Sequence, residues 1–203
     1  MKVYHFTGPE PLFTNSFLLV SDKNNAVIID PACSAAEYKA ALQKTGASLK
    51  LMLCTHGHMD HMGAAEQLRA EYGAQLRCGV QDVQGNSLFP LTQVDGGYAD
   101  EEVITLDELS FRVITTPGHS QGSVCILCGD HFFTGDTMFY GDTGRTDLPG
   151  GDPDEMVRTA RKLRSLKLAA DTKVLPVHVI FSTYGREMAE NWCINQMCPA
   201  EEV

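Results

Sequence analysis

Thr55-His56-Gly57-His58-Met59-Asp60-His61 places three histidines and an aspartate within six positions, directly after the apolar run Leu51-Met52-Leu53. Imidazole nitrogen and carboxylate oxygen are the common ligands of zinc and similar divalent metals. Three of the chain's seven histidines fall in this one stretch, so metal chemistry is the first expectation. His56 and His58, two apart, can point the same way in an extended turn. Asp60 and His61 are expected at the start of the following helix, offset from that pair. One motif can therefore serve two metals.

Three further candidates sit where a strand gives way to a loop: His119 in Thr116-Pro117-Gly118-His119, Asp136 in Thr134-Gly135-Asp136, and His178 after Val174-Leu175-Pro176-Val177. Loops at strand ends are where scaffolds present functional groups. Gly118 and Gly135 let the backbone approach its neighbours closely beside two of these residues. With His119 and His178 completing each side and Asp136 bridging, each metal gains three or four ligands. His5 and His131 fit no motif and are read as structural or surface residues. Cys125 and Cys128 have a metal-like spacing, but positions three apart on a strand face opposite sides, so both are assigned to the core.

The pattern outward from the cluster alternates in two batches. Asn15–Ser21, Ala26–Ile29 and Lys50–Cys54 read as strands, with a helix over 35–45 capped by Ser34 and Glu37 and stopped at Gly46. Met62–Tyr72 has helical spacing and ends at Gly73. Residues 80–100 form a long loop with one helical turn. Strands follow at Glu102–Leu106, Ser110–Thr115, Ser123–Cys128 and His131–Thr134. A helix starts at Asp152-Pro153-Asp154-Glu155 and runs to about 168, then come a strand at Lys173–Val177 and a helix over Tyr184–Gln196. Two strand batches, each with helices, suit an α/β (α+β) core of sheet on sheet with helices on both outer faces. A chain of 203 residues with no linker reads as a single domain, 1–203.

Composition narrows the function. The net charge is -10 and no Lys/Arg-rich run occurs, which argues against a nucleic-acid partner. The N-terminus lacks the apolar core of a signal peptide, and no stretch has membrane-spanning length, so no membrane partner is expected. Seven scattered cysteines, an odd number, read as reduced thiols, and the cytoplasm is the expected location.

These motifs resemble the metallo-β-lactamase fold superfamily, and within it the compact glyoxalase II-like (hydroxyacylglutathione hydrolase-like) branch that lacks a C-terminal helical domain. The resemblance covers nearly the whole chain: Asn15–Val20, Thr55–His61, Thr116–His119, Thr134–Asp136, Gly144–Asp152 and Tyr184–Asn191. It implies a four-layer αββα sandwich with the site at one edge between the sheets. It also implies two divalent metal ions, zinc first with iron or manganese as alternatives. His56, His58 and His119 would hold one, Asp60, His61 and His178 the other, and Asp136 would bridge.

The implied activity is hydrolysis of a small-molecule thioester such as an S-acyl-glutathione. A hydroxide shared by metals about 3.5–4 Å apart attacks the acyl carbon, and a thiolate leaves. Asp60 orients the hydroxide as well as binding metal. Arg145 is the candidate for a substrate carboxylate, against an internal salt bridge with Asp147 or Asp142. The alternatives are a mononuclear iron persulfide dioxygenase of the same fold, β-lactam hydrolysis (disfavoured by the missing export signal), and a non-catalytic metal-binding interaction domain. The chain departs from the branch at Pro176-Val177-His178-Val179, where Pro-Gly-His-Gly is usual, and the loop around His178 is expected to differ accordingly. The oligomeric state is left open.

Overall fold

The strand β2, Asn15–Val20, is buried at all six positions, which is possible only if both of its faces are covered. Its alternation divides them: Leu18 and Val20 join one apolar cluster, Phe17 and Leu19 another. A computed structural model describes residues 1–199; residues 200–203, the end of the expected domain, lie outside it. β2 belongs to a sheet that also contains β1 (Lys2–Thr7), β3 (Asn25–Ile29), β4 (Ser48–Leu53) and β5 (Gln75–Arg77), in the order β1-β2-β3-β4-β5. The first three strands pair antiparallel, whereas β3, β4 and β5 run parallel. The helices α1 (Ala35–Thr45) and α2 (Ala65–Tyr72) make the crossovers and cover the outer face through Tyr38, Leu42 and Leu68.

A second sheet contains β6 (Val103–Leu106), β7 (Leu109–Thr115), β8 (Val124–Cys128), β9 (His131–Gly135), β10 (Lys173–Pro176) and β11 (Ser182–Thr183), in the order β11-β10-β9-β8-β7-β6. Phe17, Leu19, Val27, Ile29 and Leu53 of the first sheet meet Phe111, Val113, Ile126 and Phe133 of the second in the central apolar layer. The outer face of the second sheet is covered by α3 (Pro153–Ser165), α4 (Tyr184–Glu190) and α5 (Trp192–Met197). Three apolar layers between four layers of structure make the αββα sandwich. Cys125 lies in the outer layer and Cys128 in the central one, as the strand alternation requires.

Local chemistry explains the helix limits. Ser34 and Glu37 form a reciprocal capping box on α1, and Gly46 closes it in the left-handed conformation. Asp152 accepts from the backbone N–H groups of Asp154 and Glu155, with Pro153 at the first turn of α3.

The differences from the sequence reading are also local. Asp60 and His61 do not begin α2: Met59–His61 is a separate 3₁₀ turn, and α2 starts at Ala65. The expected C-terminal helix is broken at Asn191, whose side chain caps α5 by accepting from the Ile194 N–H. β1 was missed because its side chains are mostly exposed or half-buried, leaving no apolar alternation to detect. No helix among the described residues is long and apolar enough to cross a membrane.

Phe17 sits between the sheets with its ring 5.1 Å from that of Phe133. Phe17→Ala should lower the unfolding free energy by about 3–5 kcal/mol, read as a shift of the urea midpoint at unchanged slope.

Candidate metal centre

The ligand candidates share one edge of the sandwich because they follow strands that run the same way. β4 leads into the Thr55–His61 cluster, β7 into His119, β9 into Asp136 and β10 into His178. β9 and β10 are parallel, and β7 is parallel to β9 because β8 is antiparallel to both. The edge is stitched across the sheets: the Val124 N–H donates to the Thr55 carbonyl at 2.8 Å. The glycines have a steric reason. Gly135 has φ +52°, and a Cβ there would lie 2.5 Å from Thr55 Oγ1. Gly118 has φ +145°, and a Cβ would meet the α3 backbone at Met156, 2.7 Å away.

Seven residues named from sequence converge here. His56 Nε2 and His119 Nε2 lie 2.9 and 3.0 Å from His58 Nδ1. Tetrahedral zinc with Zn–N of about 2.0–2.1 Å implies nitrogen–nitrogen edges of about 3.3 Å, so this triangle is the right size for an ion. His61 Nε2 lies 3.6 Å from Asp60 Oδ2, and His178 Nε2 lies 3.4 Å from the same oxygen. Asp136 stands between the two groups: its Oδ2 is 3.2 Å from His119 Nε2, and its Oδ1 is 3.8 Å from His61 Nε2 and 3.7 Å from His178 Nε2. Three sets each bring ligand atoms within 4.8 Å: His56/His58/His119, His56/His61/Asp136 and Asp60/His61/His178.

The surrounding residues fix which ring nitrogen faces inward. His119 Nδ1 donates to the Arg145 carbonyl at 2.7 Å, and His178 Nδ1 to the Leu12 carbonyl at 3.1 Å, so each presents Nε2 to the centre. Thr14 Oγ1 donates to Asp60 Oδ2 at 2.9 Å. His61 Nε2 and Asp136 Oδ1 are buried without a hydrogen-bond partner among the described residues. Buried polar atoms left unpaired are costly, and lone pairs aimed at one point repel. A cation among them removes both costs, so the donor set fits divalent metal.

Two braces escaped the sequence reading. Asp30 is fully buried at the end of β3, accepts from Thr55 N and Oγ1 at 2.7 and 2.9 Å, and lies 3.4 Å from His61 Nδ1. Asp82, in the single helical turn of the long loop, accepts from Gly57 N, Gly122 N and Ser120 Oγ. It thereby ties the cluster loop to the His119 loop. Each is a lone aspartate in its segment, with no local spacing to mark it. The one available signal was Asp30 following a wholly apolar strand.

Arg145 lines the same cavity, of about 470 Å³, with Leu12, Met59, Leu88, Phe139 and Leu148 around the ligands. Its guanidinium makes a two-pronged bond to Asp147 at 2.6 and 2.7 Å, one of the internal partners expected, and is 62% exposed. Of the two other histidines, His5 bonds Asn15 Oδ1 at 2.7 Å and His131 pairs with Asp130.

The electrostatics divide the site. Burial, reinforced by neighbouring imidazoles, pulls His56 well below the usual histidine range and His58 down to about 4. Burial acts the same way on His61, but Asp30, Asp60 and Asp136 outweigh it and raise that imidazole to about 9. Asp60 is drawn below the usual carboxylate range: burial opposes this, but His178, His61 and Thr14 prevail.

The chain matches the metallo-beta-lactamase superfamily over residues 9–176 and belongs to it. It is 30% identical to the hydroxyacylglutathione hydrolase GloC of Haemophilus influenzae over 89% of this chain and 92% of that protein. A hydroxyacylglutathione hydrolase of an Enterobacter species is 34% identical over 77% of this chain, but the match spans only 59% of that protein. Among solved structures, the B3 metallo-beta-lactamase BLEG-1 has a TM-score of 0.84 at 28% identity, covering 94% of this chain and 98% of that one. ETHE1 from Myxococcus xanthus has a TM-score of 0.78 at 25% identity, covering 94% and 83%. The chain is thus a metal-dependent hydrolase of this superfamily.

Burial favours the neutral forms of His56 and His58, whereas the carboxylates around His61 favour its protonated form, so a metal at the Asp60/His61/His178 set competes with a proton. Acidification should therefore strip metal from that set first and from the His56/His58/His119 set at lower pH. Metal content after stepwise dialysis from pH 8 to 4 checks the order. Asp30→Asn keeps the shape and tolerates the positive φ of 49° at this position. It removes the charge facing His61 and should weaken metal binding at the Asp60/His61/His178 set by about 10–100-fold, measured by competition with a chromophoric chelator.

Proposed function

We propose that this chain hydrolyses thioesters of the S-acyl-glutathione type with two divalent metal ions, zinc first. The observation that carries the reading is the pair of three-ligand sets with Asp136 oxygens facing each, on the floor of an open cavity. GloC, similar along almost its full length, is named a hydroxyacylglutathione hydrolase and supports the choice of substrate.

His56, His58 and His119 would hold one ion, Asp60, His61 and His178 the other, with Asp136 between them. Bound there, the ions polarise an acyl carbonyl and bring a water's pKa near neutrality. The protein supplies position and charge. Thr14 fixes the Asp60 carboxylate, and its depressed pKa keeps it an acceptor that can orient a water proton. Asp30 holds the His61 ring in place. A thiolate leaves without a dedicated acid because thiols ionise near pH 8.5, far more readily than alcohols. Arg145 stands at the cavity wall, where a substrate carboxylate could replace Asp147 in the fork.

A second reading, one iron in a persulfide dioxygenase, draws on the asymmetry between the neutral His56/His58 pair and the protonated His61. In it a single iron would be held by His56, His58 and His119 or Asp136. Two metals per chain with oxygen-independent thioester cleavage establish the hydrolase. One iron with oxygen consumption on a persulfide establishes the dioxygenase.

Removal of metal by a chelator should abolish S-lactoylglutathione hydrolysis, and zinc should restore it. Asp136→Asn should lower kcat/KM by more than about a hundredfold, beyond what loss of an outer-shell partner costs. Full activity of the metal-stripped protein would overturn the proposal.

A further inference from the structure

The cavity over the metal centre does not end at His178. It shares Leu12 and His178 with a second hollow of about 630 Å³, lined also by Thr7, Pro11, Phe13, Asn15 and Val179. Besides the polar Thr7, Asn15 and His178, its wall is made of apolar side chains turned to solvent: Leu12 is 53% exposed, Phe13 51% and Val179 60%. Ile180 and Phe181 continue the exposed apolar run next to Val179. Exposed apolar groups gathered at the mouth of a site mark a binding surface.

The backbone reinforces this assignment. Phe13 has φ +49° and Val179 φ +64°, a region that residues with a Cβ enter at a cost. Both loops are nevertheless fastened. Asn15 Nδ2 donates to the Pro176 and Val179 carbonyls at 3.0 and 3.1 Å, and the His178 ring bonds the Leu12 carbonyl. Phe181 is anchored by ring contacts with His5 and Phe17. The groove is a held surface.

The two hollows differ in charge: among the described residues, the second is lined by no lysine, arginine, aspartate or glutamate. Among the described residues lining the two hollows, Arg145 is the one lysine or arginine. A thioester reaching from one hollow into the other thus meets Arg145 in the first and an uncharged, largely apolar groove in the second. A charged thiol such as glutathione belongs at the Arg145 end, which leaves the groove to the acyl group.

We infer that the Leu12–Phe13–Val179 groove binds an extended apolar acyl chain, so that the preferred substrates are thioesters of medium-chain acids rather than of short hydroxy acids. This rests on the thioester reading, and the test separates the two. With the zinc-loaded protein, kcat/KM for S-octanoylglutathione should exceed that for S-lactoylglutathione by at least tenfold. Val179→Asp and Leu12→Asp, each folded by circular dichroism, should bring that ratio towards one. Calorimetric binding of the product acids supplies a readout independent of catalysis: octanoate should bind at least tenfold more tightly than lactate, and Val179→Asp should erase the difference.

If no thioester is cleaved yet octanoate binds preferentially through Val179, the groove stands and the thioester reading falls. A wild-type ratio at or below one, with no preference for octanoate, overturns the groove. So does a dimer that Val179→Asp dissociates without altering the preference, because the patch would then be a self-association face.

Discussion

The fully buried carboxyl of Asp30 is the point on which both the fold and the metal centre turn. It closes β3, receives the backbone N–H and the hydroxyl of Thr55 at the end of β4, and faces the His61 ring. A buried carboxyl is costly unless its lone pairs are matched, and here two donors come from the first residue of the cluster. The same residue that satisfies Asp30 passes its carbonyl to Val124 of the second sheet. Sheet pairing, loop conformation and ligand orientation are therefore one connected set of hydrogen bonds. A change at Asp30 reaches the metal centre without touching it.

This arrangement explains what could be read from sequence and what could not. Thr55–His61 was legible because its ligands are adjacent, so composition alone marks it. His119, Asp136 and His178 were legible because each follows an apolar or β-branched strand, and parallel strand ends bring their loops together. Helix limits set by side-chain caps, at Ser34 and Asp152, were legible for the same reason: the chemistry lies within three residues. Asp30, Asp82 and Thr14 act across 25 to 46 positions, so no spacing reveals them. The break at Asn191 was hidden because its side chain also bonds the Phe139 and Asp142 carbonyls, contacts the helical periodicity does not record. Tertiary bonds outweigh propensity there.

The division of the site into unlike halves has a physical origin in which second neighbours each histidine has. His56 and His58 are packed against other imidazoles and, for His58, the Phe89 ring, and the one opposing carboxylate, Asp60 beside His58, does not outweigh burial. His61 lies among three carboxylates, which reverse the effect of the same burial. Burial keeps His56 and His58 toward the neutral, cation-binding form, whereas at His61 a metal competes with a proton. The same imidazole is thus biased differently in each half, and the difference is set by aspartates rather than by the histidines.

The valines around His178 join chemistry to selectivity. Val177 is buried, and its carbonyl receives the Asn15 N–H, so it fixes where β10 ends. Val179 occupies a left-handed conformation that glycine would adopt without strain, and the backbone cost is spent on turning an isopropyl group toward the groove. A glycine would keep His178 in reach of the metals and leave that wall bare. Because His178 and Val179 are consecutive, the imidazole facing Asp60 and the wall of the groove share one stretch of backbone.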